Sequence, residues 1–507
     1  MIEEMVMPRR SSLRNRAALV LVCVASVTTA AACGERASHA DVVAVAEGRS
    51  LTGGTTSGGD GLIVGPTTVE QPSAIAATTG PAAPSAAISG GAPTGAVVVP
   101  TGAVATGGTT STQGVTPTKG PGKSTAPPAS TATSAASGKQ DTTPVVICQV
   151  GHFTGIAGPP LSVAQPALAA WVRWTNAHGG LAGHAVQLDS KDDAIDPNKT
   201  EQIVQNCVQN EHAVALVGAF IPGTIDSIST YVSQHKIPVV GGDDLTDTWF
   251  SNPDFYPEGS STVATGDGVV DIMIKAGKTA AGVIFCTENV ACTVGNRNFS
   301  NAAKHRGLAI KGTYQVSLAS PTFTSQCSSM QSARIDAVYI SLDGPSQSRL
   351  ARDCNAIGYH PLFVSGGIAF DADVTEKDPN LNGLTITTSV FPWMTSASQA
   401  AKDFQTALAT YAPDVSPTEA AAKAWTSGQL LAKAIANVGD AARTGPITSA
   451  MIVQGLVQVK NETLGGLVMG HLTFHSGAPA SSNDCWGVVT LKDGAWTAPQ
   501  GATPSCP

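Results

Sequence analysis

From Pro144 onward the chain alternates short apolar runs with amphipathic stretches. Val145-Val146-Ile147-Cys148-Gln149-Val150 is an apolar run closed by a glycine turn, and Ala164 to Ala177 follows with helical spacing, which predicts a strand and then a helix. The alternation recurs, with strands near 185–189, 214–218, 237–240, 281–286, 310–316, 335–341 and 361–365 and helices over 199–210, 224–235, 296–306 and 346–357. Repeated strand-helix units predict parallel sheets with right-handed crossovers and helices on both faces. Ligands of such sheets bind outside the carboxyl ends of the strands, so the loops that follow strands carry the functional interest.

Upstream the pattern is different. Arg9, Arg10, Arg14 and Arg16 precede an apolar run from Ala17 to Ala32, the charged-then-hydrophobic layout of a secretory signal peptide over residues 1–32. Glu3 and Glu4 sit awkwardly in a basic leader, which points to translation from Met5 or Met7. The run is shorter than the roughly 20 apolar residues of a membrane span. It ends in Ala30-Ala31-Ala32-Cys33-Gly34, which resembles a bacterial lipoprotein box with Cys33 as the lipid-attachment residue. Residues 34–143 are mostly Gly, Ala, Thr, Ser and Pro, which cannot bury enough apolar surface to offset ordering entropy. Residues 33–143 are therefore expected to form a disordered linker, lipid-anchored at its start, with a reach of roughly 55–65 Å. Gly120-Pro121-Gly122-Lys123-Ser124 looks superficially like a phosphate loop, but Pro117 occupies the position of its first Gly and no strand-helix frame surrounds it.

Composition narrows the function classes. The chain has 507 residues, and all of its 12 Phe, 7 Trp and 6 Tyr lie at or after Phe153, so the core belongs to the C-terminal part. About 360 residues are large for one core and suit two lobes. A formal charge of −8 and the absence of a Lys/Arg cluster beyond the leader argue against a nucleic-acid partner.

Within the globular part, Ala169-Ala170-Trp171, then Asn176-Ala177-His178-Gly179-Gly180-Leu181-Ala182-Gly183-His184, Asp192-Asp193 and Asp196-Pro197 resemble the opening of the leucine/isoleucine/valine-binding proteins, solute receptors of ABC importers. The resemblance continues through Val217-Gly218, Lys236-Ile237-Pro238-Val239-Val240, Asp336-Ala337-Val338-Tyr339, Asn355-Ala356-Ile357-Gly358-Tyr359 and Gly470-His471-Leu472-Thr473-Phe474. It implies an α/β, two-lobed type I periplasmic-binding fold with three hinge crossovers that closes on a small solute. Lobe one is expected over 144–262 and 391–468, and lobe two over 263–390 and 469–507, with Asp493-Gly494 as a hairpin turn.

Three loops follow strands of lobe one, and the resemblance implies that they hold a solute's carboxylate with hydroxyls and backbone N–H groups. They supply the candidates Phe153 and Thr154, then Phe220, Ile221, Gly223 and Thr224, then Gly242, Asp243 and Asp244. Thr224 suits either an anion contact at a helix start or a simple N-cap. Phe153 suits either ligand or core, and the two Asp suit either ligand or helix capping. From lobe two the resemblance implies Val294, Phe323, Asp343 and Ser346. Ser346 stands where relatives that grip an ammonium place a Glu. A buried ammonium without a counter-charge costs several kcal/mol, so either Asp343 replaces that Glu or the ligand has no ammonium there. Asp243 and Asp244 beside a carboxylate would repel it, which points away from a simple amino acid.

Beyond Cys23 and Cys33 the chain has eight cysteines, an even number suited to disulfides outside the cytoplasm. Of 105 pairings, the expected topology favours Cys148 with Cys207, Cys286 with Cys292, Cys327 with Cys354, and Cys485 with Cys506. No CxxC pair or HxxxH helix suggests a metal, and no G-x-S-x-G, H-E-x-x-H or S-x-x-K motif suggests an enzyme. The expectation is a monomeric, exported lipoprotein without catalytic residues, cofactor or metal, anchored to the outer face of the bacterial cytoplasmic membrane. It delivers a small polar solute (an amino acid, amide or related organic acid) to an ABC permease. A surface sensor without transport and, more remotely, a cell-surface hydrolase are the alternatives.

Overall fold

The computed structural model describes residues 140–507, Ala157 excepted. The leader, Cys33, the phosphate-loop-like segment and the linker up to Lys139 lie outside these residues. Among the described residues no helix is long and apolar enough to cross a membrane.

The first lobe opens with β1 (Val145–Gly151), α1 (Gly158–Ser162), α2 (Ala164–Ala177), β2 (Val186–Asp192), α3 (Pro197–Gln209), β3 (Ala215–Ala219), α4 (Ile225–His235), β4 (Val239–Gly242) and β5 (Phe255–Tyr256). These strands form a parallel sheet of order β2-β1-β3-β4-β5. Such strands are buried on both faces and read as continuous apolar runs, as β3 does with all five residues buried. α3 starts at Pro197, two residues before the expected 199, with Asp196 accepting from the N–H groups of Asn198 and Lys199 and Pro197 in the first turn.

The chain then enters a second sheet through α5 (Thr262–Lys275), β6 (Ala280–Cys286), α6 (Val290–Arg306), β7 (Ala309–Val316), α7 (Thr324–Ser332), β8 (Ala337–Ser341), α8 (Gly344–Ala356), β9 (Leu362–Gly366), α9 (Ala372–Thr375) and β10 (Thr385–Thr388). It returns to the first lobe with α10 (Gln399–Tyr411), α11 (Glu419–Val438), α12 (Ala441–Thr444) and α13 (Ser449–Leu456), and it ends in the second sheet as β11 (Gly487–Lys492) and β12 (Ala495–Thr497). The order of that sheet is β12-β11-β10-β9-β8-β6-β7, parallel from β7 to β10 and antiparallel at its last two strands. Asp493 and Gly494, with φ of 52° and 78°, make the two-residue turn between β11 and β12.

Two packing choices matter for the site. α11 lies across the first sheet and α2, and its Gly428 lets the backbone close on Trp171, which is fully buried; a Cβ at Gly428 would stand 2.3 Å from the indole. Burying such a ring contributes about 2–3 kcal/mol. The chain passes between the lobes three times, and Ser260 joins the three passages, its hydroxyl reaching Ser389 O at 3.3 Å and Cys485 O. A further antiparallel bridge pairs Val390 with Val468.

α6 begins at Val290, six residues before the helix predicted from periodicity, because Asn289 caps it by accepting from Ala291 N–H. Sulfur pairs join Cys148 to Cys207, Cys286 to Cys292, Cys327 to Cys354 and Cys485 to Cys506.

Candidate functional site

A cavity of about 130 Å³ lies between the lobes, at the carboxyl ends of their strands. Lobe one lines it with Pro160, Leu161, Pro222 and Leu245; the second lobe supplies chiefly Cys292, Val294, Leu318, Tyr339, Leu342 and Ile368. Its few polar side chains include Asn289, Ser341 and Asp343. A mostly apolar wall with a few polar groups is the usual make-up of a small-molecule site.

The lobe-one loops are wired to themselves. Asp192, at the end of β2, accepts from the N–H groups of Phe153 and Thr154 at 2.9 and 3.1 Å and from Thr154 Oγ1 at 2.5 Å. Gly223 N–H donates to His152 Nε2 at 3.1 Å, which places the ring proton on Nδ1, where it meets Asp193 Oδ1 at 2.7 Å. The Asp193 carboxyl is buried, but His152 and Thr200 hold it below the usual carboxylate range. Its other oxygen accepts from Thr200 Oγ1 at 2.6 Å and Thr224 Oγ1 at 3.1 Å. Asp243 accepts from Ile221 N–H, Leu245 N–H and Trp249 Nε1–H at 2.9, 2.9 and 3.1 Å. Gly242 N–H goes to Glu258 Oε2 at 2.9 Å. The donors that the resemblance assigns to a ligand's carboxylate are thus engaged by the protein's own acceptors.

Beside the main cavity is a smaller one of about 30 Å³, lined by Asp243, Asp244, Leu245, Ser260, Thr265, Gly366, Gly367, Ile368, Thr387, Ser389 and Glu419. Behind it sits Lys423 of α11, 1 % exposed, which donates to Asp244 Oδ2 at 2.7 Å and Ser389 Oγ at 3.2 Å and pairs with Glu258 Oε1 at 3.3 Å. Burial alone would lower the Lys423 pKa, but the carboxyls of Asp244, Glu258 and Glu419 hold it above its ordinary value. Burial pushes Asp243 up to about 6 and, with the charge of Asp244 added, Glu258 up to about 8. Burial likewise raises Asp244 and Glu419. Asp244 has φ of 54°, a left-handed conformation that Asp adopts more readily than most residues.

Of the sequence-named candidates, Val294 and Asp343 line the larger cavity and Gly242 backs Asp243 next to the smaller, which Asp243 and Asp244 line. Phe153 and Phe220 are buried in the main core cluster, with Phe153 folded over Gly151. Ile221 is packed with Val150, Ile225 and Trp249. Thr224 is buried on Asp193 and Thr200, Gly223 faces His152, and Thr154 is exposed on Asp192. Phe323 is fully buried beneath the Arg349 guanidinium, 5.8 Å from its ring centre. Ser346 is also fully buried and accepts from Arg349 Nη2 at 2.7 Å, so a cation of the protein's own already occupies its hydroxyl. Asp343 caps α8 through Ser346 N–H at 3.2 Å, and burial raises its pKa. Sequence reasoning did not find Lys423, Glu419 or Glu258, whose neighbours in the fold are far away in the chain. A charged Glu and Lys four residues apart among the alanines that open the helix 419–438 was the signal available.

Comparison with known proteins agrees with this architecture. A leucine binding protein from Thermotoga maritima is 16 % identical with a TM-score of 0.59, covering 70 % of this chain and 97 % of its own. A solute binding protein of an R. palustris ABC transporter, solved with benzoate, is 17 % identical with a TM-score of 0.60 over 71 % of this chain and 97 % of its own. A fatty acid ABC transporter substrate-binding protein from Thermomonospora curvata is 14 % identical with a TM-score of 0.58 over 71 % and 94 %. No curated protein matches the chain. The sequence profile described as "Periplasmic binding protein" matches residues 144–495. That match extends through both lobes and the three passages between them, and the chain therefore belongs to the periplasmic binding protein family, with the type I fold of ABC-transporter solute receptors.

Proposed function

We propose that the protein is an exported, lipid-anchored receptor that captures a small organic solute with an apolar body between its lobes and hands it unchanged to an ABC permease. The observation that carries this reading is the cavity lined from both lobes at the ends of their parallel strands, beside three chain passages able to act as a hinge. Val294 and Asp343 contact the solute from one lobe and Leu245 from the other, with Asp244 at the neighbouring acidic cavity. The structural neighbours that take benzoate and fatty acid fit a receptor with a largely apolar guest. The anchor is the Cys33 thiol, from which the linker of residues 34–143 holds the binding head off the membrane.

Thermal unfolding across a library of amino acids, amides, amines and short acids tests solute capture. A true ligand at one hundred times its Kd adds about 2.7 kcal/mol of stability. Turnover of a stabilising compound contradicts the receptor reading. Loss of uptake on deleting the gene supports transport, and normal uptake with a lost response supports sensing. Mass spectrometry of the mature N-terminus tests the anchor, and an unmodified Cys33 rejects it.

A further inference from the structure

The charged side chains that face the cleft are all of one sign. Asp343 lines the larger cavity, Asp243, Asp244 and Glu419 line the smaller, and no Lys, Arg or His lines either. The cavities share Leu245, Thr265, Gly366 and Ile368, so the acidic space adjoins the apolar one. Lys423 stands behind it, donating hydrogen bonds to Asp244 and Ser389 and lying 3.3 Å from Glu258 Oε1 as an ion pair. Three carboxyl groups, those of Asp244, Glu258 and Glu419, surround this one ammonium. Burial raises all three carboxyls, and they outnumber the one cation beside them.

Two carboxylate oxygens lining this space are unused. Asp244 and Glu419 are each 3 % exposed, and neither Asp244 Oδ1 nor Glu419 Oε2 has a hydrogen-bond donor. The absence of a side chain at Gly367 leaves Glu419 its room, since a Cβ there would come 1.8 Å from Oε2. Buried carboxylate oxygens without a donor are costly, and a ligand that supplies N–H groups removes the cost. A space of about 30 Å³ holds one water or one ammonium group. The loop donors that could have served an anion are meanwhile consumed by Asp192, His152, Asp243 and Glu258.

We propose that the solute is an apolar amine, an alkyl- or arylalkylammonium ion without a carboxylate, whose nitrogen lies against Asp244 and Glu419 and whose hydrocarbon body fills the larger cavity. This rests on the solute-capture reading and names the ligand class for it. The carboxylate of an amino acid or organic acid finds acidic neighbours and occupied donors in the same place, so both are poor guests.

Titration calorimetry of the mature chain at pH 7.5 tests the assignment with phenethylamine, 2-phenylethanol, 3-phenylpropanoate and phenylalanine, and with hexylamine, hexanol and hexanoate as a second matched set. In at least one set the amine is expected to bind ten or more times tighter than its alcohol, with the acids weaker than either. Glu419→Gln keeps an oxygen for the Ser389 N–H and hydroxyl, and it is expected to weaken the amine at least tenfold while changing the alcohol less than twofold. An amine that binds no tighter than its alcohol in both sets, or an amine affinity indifferent to Glu419→Gln, overturns the proposal. If an acid or phenylalanine binds and the amines do not, the amine assignment falls and solute capture stands. If nothing in the wider library stabilises the folded protein, both fall.

Discussion

Glu258 shows how a single side chain ties the binding cleft to the hinge. It leaves the first lobe just after β5, accepts from Gly242 N–H and faces Lys423, so its charge state is felt in the loop after β4 and in the first passage between the lobes. Its pKa, about 8 in the folded protein, lies above the ordinary 4.5 of a glutamate. A carboxyl raised on folding contributes stability that is complete below its unfolded pKa and is lost as pH rises through the folded one. Asp243, raised from 3.8 to about 6, acts in the same direction over a lower window. The melting temperature of Glu258→Gln, which mimics the protonated acid, is therefore expected to rise relative to the parent between pH 5 and pH 8.5. A difference that stays constant across that range contradicts the assignment.

At the scale of elements, the strand-helix alternation was readable because parallel strands buried on both faces appear as apolar runs, as in Ala215–Ala219 and Ala337–Ser341. Helix beginnings were less legible. The periodicity of 296–306 missed the first turn and a half of α6, where Val290 and Gly295 interrupt the amphipathic pattern and the start is set by the Asn289 cap. The candidate site was legible chiefly where it follows strands in the chain, as at Asp243, Asp244 and Asp343. Glu419 and Lys423 enter it from a helix more than 170 residues beyond β4, and Ile368 enters from the short turn after β9. Phe153 and Phe220 sit in post-strand loops too, yet the tight wiring of those loops onto Asp192 and His152 turns both rings into the core. The link between β1 and α3 carries a prediction of its own. The Cys148–Cys207 bridge closes 59 residues of chain, and a native disulfide of this kind contributes about 2–4 kcal/mol. The double substitution Cys148→Ala, Cys207→Ala is expected to lower stability by that amount in denaturant titration. An unchanged midpoint shows that the bridge adds no net stability.

Over the whole molecule the lobes meet outside the cavity as well. Arg297 of α6 donates through Nη2 to both carboxylate oxygens of Asp247, just after β4 in the other lobe, at 2.7 and 2.8 Å. Both side chains are about half exposed, so the pair contributes only about 0.2–1 kcal/mol and is screened by salt. Arg297→Ala is accordingly expected to speed ligand release by no more than about fivefold, read by stopped-flow tryptophan fluorescence. A hundredfold change means that the pair governs closure rather than trimming it.

The central claim is that two lobes close on a guest. Small-angle X-ray scattering of the mature chain, with and without a saturating concentration of a compound that raises its melting temperature, tests it most directly. The account predicts a smaller radius of gyration in the bound protein and its recovery when the compound is dialysed away. A bound protein whose scattering curve superimposes on that of the free one contradicts it.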